Sequence, residues 1–386
     1  MTERLYYTDS YLTDFRAGVA DQSPDGRRVY LDRTAFYPTS GGQPHDLGTI
    51  NGIQITEILD EDDDRVAHVL AAPLDATDVD CRIDWNRRFD HMQQHTGQHL
   101  LSAVLMDLFA AQTVSFHIGA ESSSIDIERP SLEAGEVRRA VERANQTVFE
   151  NRAVTVTFRH SSEDLSLRKA TEREGTVRIV SIADLDRSAC GGTHVRATGE
   201  IGPIAIRKLE KVRANLRVEF LCGMRAVKRA QADYEALASI GRAYSAAVDE
   251  APALVAAQIE KLQAAEKAAR KLAMELAQAR GRQLYAETPP GPDGFRRIRR
   301  HVPTITDELR AEAQSFTGGE KSMFVAVAEE PPSLLVAASK DSGVNAGQLV
   351  KDAVTAVGGR GGGSPAMGQG SVGSREVLEA IVSTKF

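Results

Sequence analysis

Two short segments carry the residues best suited to chemistry, and the first spans residues 91–99, His-Met-Gln-Gln-His-Thr-Gly-Gln-His. Apolar residues recur at helical spacing after it, which predicts a helix over about residues 86–111. His95 and His99 then lie one turn apart on one helix face, so both imidazoles can reach one ion. His91 lies one turn further back. We expect it to be a surface histidine, and it is a weak candidate for a general base.

The second segment, Ser188-Ala-Cys-Gly-Gly-Thr-His-Val, places Cys190 and His194 on either side of two glycines. Glycines let the backbone fold tightly beside an ion, and a thiolate and an imidazole are both good zinc ligands. The alternative is a glycine turn in which Cys190 is a small buried residue. The two segments together offer three nitrogens and one sulfur, which predicts a tetrahedral site with one Zn²⁺ per chain.

The composition limits the classes of protein to which the chain can belong. The 386 residues correspond to two or three domains, and 42% apolar with 26% charged residues is ordinary for a globular protein. No run of about 18 apolar residues predicts a membrane span, and the first residues lack the pattern of a secretory signal. Three cysteines cannot form a disulfide framework, so we expect a cytoplasmic protein without membrane partners. A net charge of -7 argues against coating nucleic acid but permits local contact.

The chain divides into four parts, and the predicted fold class is α+β. Residues 1–85 contain short strand-like runs between glycine turns, which predicts a small β-barrel. Residues 86–225 mix helices and strands. Residues 226–286 are rich in Ala, Glu, Lys and Leu, which predicts a helical arm. Residues 287–386 follow a Pro- and Gly-rich linker and alternate strands with helices, as a small α/β domain does.

An apolar stripe in the arm predicts a coiled-coil-like helix over about residues 252–283. The stripe leaves two interpretations equally open, a solvated helical spacer or a homodimer formed through it. The C-terminal domain is the other candidate for a dimer interface. The stripe consists of Val255, Ile259, Leu262, Ala265, Ala269, Leu272 and Leu276.

Several ordered motifs together resemble one protein family. The segment His95-Thr-Gly-Gln-His99 resembles the HxxxH motif of the alanyl-tRNA synthetase editing domain, and Cys190-Gly-Gly-Thr-His194 resembles its partner CxxxH motif. Residues 36–48 resemble the glycine-containing segment of the small barrel before that domain. Residues 341–350 and 358–370 resemble the C-terminal DHHA1 (C-Ala) domain. There is no room for an aminoacylation core before the barrel, so the chain resembles the long form of the freestanding AlaX editing proteins.

The resemblance implies a trans-editing hydrolase that deacylates tRNA(Ala) mischarged with serine, with glycine as a second substrate, and that spares Ala-tRNA(Ala). It also implies a barrel, an editing core with the zinc site, a helical arm and a DHHA1-type domain. A non-catalytic tRNA-binding protein with a structural zinc is the alternative, because four protein ligands form a closed site. A phosphoesterase and a zinc peptidase are disfavoured, because neither Asp-His-His nor His-Glu-x-x-His occurs.

To distinguish serine from alanine, the site must recognise the serine hydroxyl. A site built to hydrogen-bond a hydroxyl rejects the analogue that lacks it. The resemblance places such a polar side chain in the segment 112–117. We predict Thr113, with Ser115 and His117 as rivals. The resemblance also suggests substrate binding by the loop Gly41-Gly42-Gln43, for which the alternative is a β-turn that needs positive φ.

Local basic clusters predict where tRNA is bound. The segment 296–301, Arg-Arg-Ile-Arg-Arg-His, is the densest, and it is as compatible with a solvated charged face as with phosphate contact. Other candidates are Arg82, Arg87 and Arg88 before the first long helix, and the cluster at 207–213. The predicted tRNA-binding residues are Arg296, Arg297, Arg299 and Arg300.

Overall fold

The computed structural model describes residues 1–61, 63–172 and 174–385, and it divides into two compact units, Met1–Ser239 and Ile240–Phe386. The architecture is mixed α+β, as predicted. Among the described residues, no helix is both long and apolar enough to cross a membrane.

The first unit begins with a closed six-stranded barrel, which confirms the predicted barrel. The strand order around it is β2-β3-β7-β6-β5-β8, and apolar side chains fill its interior. Strand β8 shows the alternation expected of such strands, with Val79, Cys81 and Ile83 buried between exposed neighbours. The strands are β1 Glu3–Arg4, β2 Asp14–Gln22, β3 Arg28–Leu31, β4 Arg33–Thr34, β5 Gly48–Ile50, β6 Ile53–Asp60, β7 Val66–Leu70 and β8 Asp78–Ile83.

The central helix α1 (Trp85–Phe109) follows the barrel directly. The Asp84 side chain accepts a hydrogen bond from the Arg87 backbone N–H at its start, and Ala110 adopts a left-handed conformation at its end. Every residue from position 91 to 105 is buried, although much of this stretch is polar. A polar helix can be buried only if its side chains find partners, so the surrounding elements must supply them.

Helices and short sheets surround α1 in the rest of the first unit. One antiparallel sheet has the order β14-β15-β10-β9, and another has the order β11-β12-β13. The apolar core forms between α1, the helix α2 and the first of these sheets. The elements are β9 Thr113–Ile118, β10 Ser123–Ile127, α2 Ala134–Phe149, β11 Val154–His160, β12 Thr176–Ile182, β13 Asp186–Ala189, β14 Ile204–Val212 and β15 Asn215–Cys222.

The segment predicted as a helical arm contains two helices. Helix α3 (Met224–Tyr244) spans the division between the units, and α4 (Ala251–Glu287) follows after a break. Ser245 has a φ of 53° at this break, and a 3-10 turn covers Val248–Glu250. Along α4 the larger apolar side chains of the stripe are 37–64% exposed. This exposure is compatible with a solvated spacer and with a dimer interface, so both interpretations remain predictions.

The second unit contains one five-stranded sheet of order β16-β17-β18-β20-β19, in which only β16 and β17 pair in parallel. Two apolar clusters form on this unit, one involving α5 and one involving α6 and α7. The glycine-rich segment 358–370 forms the hairpin of β19 and β20, so its glycines have a structural role. The elements are β16 Arg296–Val302, α5 Asp307–Phe316, β17 Ser322–Ala328, β18 Ser333–Ala338, α6 Ala346–Thr355, β19 Arg360–Ser364, β20 Met367–Ser371 and α7 Arg375–Lys385.

A buried ion pair attaches α1 to the barrel part of the first unit. The side chains of Arg88 and Asp46 are fully buried, and Arg88 Nε donates to Asp46 Oδ1 at 3.0 Å. Arg88 also donates to the backbone carbonyls of Ser10 (2.8 Å) and Ala35 (2.5 Å). Removing one partner of a buried pair leaves the other charge uncompensated, so the pair is expensive to break.

We therefore predict that Asp46→Ala lowers the free energy of unfolding by about 3–5 kcal/mol. The matched control is Asp80→Ala, whose side chain is 72% exposed and pairs with the exposed Arg16, and which should cost about 0–1 kcal/mol. Denaturant titration followed by the fluorescence of Trp85, the single tryptophan, reports on α1. Equal losses of unfolding free energy in the two variants would show that the buried pair of Arg88 and Asp46 is no more important than the exposed pair.

Candidate metal centre

Four side chains from two distant segments converge inside the first unit. Helix α1 supplies His95 and His99, and the loop after β13 supplies Cys190 and His194. Their ligand atoms all lie within 4.8 Å of one another, in an arrangement that could hold a metal ion. Cys190 Sγ lies 3.4 Å from His95 Nε2 and 3.3 Å from His194 Nε2. The structure thus brings together the four residues that the two motifs predicted.

Each of the three imidazoles is held at its Nδ1 atom by a different polar side chain. Hydrogen bonding at Nδ1 fixes the ring orientation and leaves Nε2 free for a metal, which is typical of metal-ligating histidines. The pairs are His95 with Gln43 Oε1 at 2.8 Å, His99 with Asp186 Oδ2 at 2.9 Å and His194 with Thr96 Oγ1 at 3.1 Å.

The electrostatics favour the metal-binding form of Cys190 and His194. Burial lowers the pKa of His99, but its hydrogen bond to Asp186 outweighs this and raises the pKa to about 9. Burial raises the pKa of the Cys190 thiol, but the adjacent His95 and His194 outweigh it and hold the pKa well below its usual value. Burial lowers the pKa of His194 to about 3, so its imidazole is neutral. A thiolate and a neutral imidazole are the forms that bind a metal. The donor set therefore fits a single metal ion.

Asp186 links the cluster to the loop between β11 and β12. Burial raises the pKa of Asp186, but its contacts with His99 and Arg168 prevail and lower it to about 2. Arg168 Nε donates to Asp186 Oδ1 at 2.6 Å. An ionised carboxylate behind a ligating histidine raises the basicity of that ligand, so Arg168 and Asp186 together support His99.

A cavity of about 410 Å³ borders the cluster. It is lined by three of the four cluster residues and by polar side chains from several elements. Thr113 and Gly41, two of the predicted substrate-binding residues, line it directly. Of the rivals to Thr113, Ser115 also lines the cavity but donates to Asp126 at 2.8 Å, whereas His117 is exposed and does not line it.

The structure places Gly42 and Gln43 behind the cavity rather than in its lining. Gly42 has a φ of 84°, and a Cβ atom there would clash with the Phe116 carbonyl oxygen. Gln43 is fully buried, and its amide contacts His95 and donates to Thr193 Oγ1 at 2.8 Å. The loop is therefore a tight turn with positive φ, as the alternative interpretation expected, and its Gln43 side chain also holds His95 in place.

His91 is buried, so its interpretation as a surface histidine was wrong. Its exposed fraction is 3%, and it lines a groove that shares no residue with the cavity beside the cluster. The adjacent Arg88 pairs internally with Asp46 and is not a free cation for tRNA. Local sequence shows a polar helix start, but the burial of both residues depends on segments far away in the chain.

The four arginines of β16 lie on an edge strand of the second unit, and each has an intramolecular contact. Their role in tRNA binding stays a prediction, and part of their charge is compensated. Arg296 donates to the Thr288 carbonyl, Arg297 pairs with Asp293 at 2.6 Å, Arg299 donates to the Val382 carbonyl at 3.2 Å, and Arg300 pairs with Glu312.

Three residues that support the cluster, Asp186, Thr96 and Arg178, were not predicted from the sequence. Asp186 and Thr96 lie within four residues of a ligand, so proximity to the motifs is the signal that could have found them. Arg178 carries no such signal. It is 4% exposed, and it donates to the backbone carbonyls of Tyr7 (3.0 Å) and Cys190 (2.6 Å), which ties the N-terminal segment to the cluster loop.

Comparison with known proteins agrees with this site. Residues 177–218 match the family model described as threonyl and alanyl tRNA synthetase second additional domain. The chain is 30% identical over 395 residues to the alanyl-tRNA editing protein AlaX-L of Pyrococcus horikoshii, covering 96% of this chain and 95% of that protein.

Two further relatives share only part of their length with the chain. The alanyl-tRNA editing protein Aarsd1-B of Xenopus laevis is 37% identical over an alignment of 216 positions, which covers 54% of this chain and 52% of that protein. The alanine–tRNA ligase of Pyrococcus abyssi is 29% identical over an alignment of 408 positions, which covers 99% of this chain and 43% of the ligase.

A barrel followed by an α+β unit with a buried three-histidine, one-cysteine cluster defines an editing-domain protein of the alanyl-tRNA type. The chain belongs to the AlaX family of alanyl-tRNA editing proteins, which are deacylases that act on mischarged tRNA.

The close packing around His95 yields a prediction with a matched control. A Cβ atom at Gly192 would clash with the His95 imidazole, whereas one at Gly191 would lie 3.6 Å from the Tyr7 hydroxyl, an ordinary contact. We expect Gly192→Ala to weaken metal affinity about 10–100-fold, as loss of a ligand's supporting contact does. Gly191→Ala should retain it. Competition with a chromogenic chelator measures both, and similar affinities in the two variants would contradict the packing argument.

Proposed function

We propose that the chain hydrolyses the ester of tRNA(Ala) mischarged with serine, and more slowly with glycine, and spares Ala-tRNA(Ala). Membership of the AlaX family supports editing of mischarged tRNA(Ala) in trans. The observation that carries the finer proposal is the cavity of about 410 Å³, which is bordered both by the metal cluster and by Thr113. An aminoacyl ester placed there lies beside the metal and beside a hydroxyl that can recognise its side chain.

We also propose that the bound ion is zinc, one Zn²⁺ per chain, held by His95, His99, Cys190 and His194. Imidazole nitrogen and thiolate sulfur in a four-donor set are typical zinc ligands. When bound, zinc supplies Lewis acidity that polarises a carbonyl or activates water. The side chains of Gln43, Thr96 and Asp186 orient the ligands.

The polar wall of the cavity supports discrimination between serine and alanine. Thr113 Oγ1 donates to Ser102 Oγ at 2.8 Å, and Gln98 Nε2 donates to the same oxygen at 2.9 Å. Because the Thr113 proton is engaged, its oxygen is left to accept a hydrogen bond from a serine hydroxyl. An alanyl group would leave this buried oxygen without a partner, which is costly. Glycine gains no such contact, so we expect serine to be the better substrate.

Basic residues at the cavity suit the polyanionic acceptor end. Arg4, Arg168 and Lys169 all line it. Arg4 pairs with Asp60 at 2.6 Å and Arg168 with Asp186, whereas Lys169 is exposed. Lys169 is therefore the side chain best placed to contact a phosphate of the terminal nucleotides.

The second unit completes the proposal as a DHHA1-type domain that holds tRNA away from the acceptor end. Its basic edge strand β16 carries Arg296, Arg297, Arg299 and Arg300. The helical arm serves as a spacer, and the exposed stripe of α4 or the C-terminal domain is the site of a homodimer. A cytoplasmic location fits a tRNA substrate and stays a prediction.

Deacylation assays with Ser-, Gly- and Ala-tRNA(Ala) test the proposed function. The intact chain should release serine and leave alanine attached, and a His95→Ala/His99→Ala variant should lose about a hundredfold or more of the turnover. Metal removal by a chelator should have the same effect, and added zinc should restore activity.

Thr113→Val should lower the preference for serine over alanine, because it removes the accepting oxygen.

Fluorescence of Trp85 and circular dichroism check that each variant remains folded. A folded, metal-loaded chain that binds tRNA(Ala) but releases no serine would contradict the proposal. That result would favour a non-catalytic tRNA-binding protein with a structural zinc, which the closed set of four ligands makes the second candidate.

A further inference from the structure

A second, larger recess lies at the N-terminal end of α1 within the first unit. Its volume is about 1010 Å³, and it shares no lining residue with the cavity beside the metal cluster. The first turns of α1, the residues after β9 and the start of α3 form its walls. We call it the α1 groove. Nothing in the ester chemistry proposed above uses it.

Two aromatic side chains line the α1 groove. Trp85 and Phe89 are half-buried and one helical turn apart, with ring centroids 5.2 Å apart and planes inclined at 32°. Tyr11 lies against Trp85 at 5.4 Å and helps to fix the indole. A fixed, partly exposed aromatic surface is what an unpaired nucleic-acid base stacks on, and it accepts any base because every base has a π-face.

Positive charge exceeds negative charge in the groove. Its lining contains four cations, Arg87, Arg225, Lys228 and Arg229, and two carboxylates, Asp90 and Glu121.

Two of these cations are internally neutralised and two remain available. Arg225 is held by Asp90 at 2.7 Å, and Arg229 pairs with Asp233. In the described part of the chain, the Arg87 guanidinium donates only to the His45 carbonyl (3.0 Å), and Lys228 is exposed without a carboxylate partner. Arg87 and Lys228 can therefore neutralise phosphates.

His91 supplies an independent sign of a ligand. It is 97% buried by residue, lines the groove, and its buried Nδ1 has no hydrogen-bond partner among the described residues. Burial lowers the pKa of His91 to about 4, and the neighbouring Arg87 adds to this effect, so the ring is neutral. A buried polar atom without a partner is costly, and a neutral imidazole can bond to a base edge or a ribose hydroxyl.

We propose that the α1 groove binds an unpaired nucleotide of the RNA substrate, with the base stacked on Trp85 and the phosphate held by Arg87 and Lys228. This inference rests on the proposed function for the presence of tRNA, but it concerns a site apart from the ester. The aromatic surface and the excess of cations favour RNA over a protein segment as the occupant. The groove thus anchors RNA beyond the terminal residue that carries the amino acid.

The single tryptophan makes the groove directly observable. Titration of the intact chain with deacylated tRNA(Ala) should quench Trp85 fluorescence in a saturable way, because a base stacks on the indole.

Lys228→Gln should weaken binding and lower the slope of log K against log salt concentration by about 1, as expected for the loss of one phosphate contact. Arg138→Gln is the matched control. Arg138 is exposed on α2, outside the groove, and has no carboxylate partner in the described ranges. Arg138→Gln should therefore leave the tRNA affinity and the salt slope unchanged.

Steady-state kinetics separates failure of this inference from failure of the proposed function. Lys228→Gln should raise KM for Ser-tRNA(Ala) about three- to tenfold with kcat unchanged. It should not affect a seryl ester of adenosine, which carries no phosphate for Lys228 to bind. The inference is overturned if tRNA binds without quenching Trp85, or if Arg138→Gln lowers the salt slope as much as Lys228→Gln. Quenching without any deacylation by the intact chain would overturn the proposed function and leave the groove intact.

Discussion

Four buried donor atoms, three nitrogens and one sulfur, must be kept within 4.8 Å of one another by segments almost a hundred residues apart. The rest of the first unit is arranged around this constraint. Helix α1 fixes two imidazoles one turn apart, and the loop after β13 is folded against it by Thr96, which contacts His194 and accepts from the Val195 backbone N–H at 3.1 Å. Arg178 holds the same loop from the other side through the Cys190 carbonyl.

The burial of α1 follows from the same constraint. A helix that carries metal ligands is polar, and burying it requires partners for every polar side chain. Gln94 bonds to the backbone of Cys222 through both its amide nitrogen and its amide oxygen, and Gln93 donates to the Glu200 carbonyl at 2.9 Å. Arg88 is neutralised by Asp46 from the barrel part of the unit. Within the described ranges His91 is an exception, since its Nδ1 has no hydrogen-bond partner there, and it lines the α1 groove.

The four residues of the cluster, the barrel and α1 could be predicted from sequence because their signals are local. Ligand spacing within a motif is fixed by helix and turn geometry, and alternation within a strand shows which face is buried. The partners of the ligands could not be predicted in the same way. Gln43 lies 52 residues from His95, and Asp186 lies 87 residues from His99, so only the folded chain shows that they touch.

The prediction for His91 was wrong for a physical reason. His91 was expected at the surface because polar residues usually lie there, but in this helix other segments of the unit cover the polar groups. Composition predicts helix over residues 226–286 but does not locate the break between α3 and α4, where Ser245 adopts a left-handed conformation. Propensity summed over a segment does not locate a break that depends on one residue.

X-ray absorption spectroscopy at the zinc edge, combined with metal analysis of the purified chain, tests whether these four side chains bind zinc. We expect one zinc per chain with three nitrogen ligands at about 2.0–2.1 Å and one sulfur at about 2.3 Å. The sulfur signal should disappear in Cys190→Ser, since Cys81 and Cys222 are buried and are not part of the cluster. A chain that binds no zinc, or a sulfur signal that survives Cys190→Ser, would contradict the account.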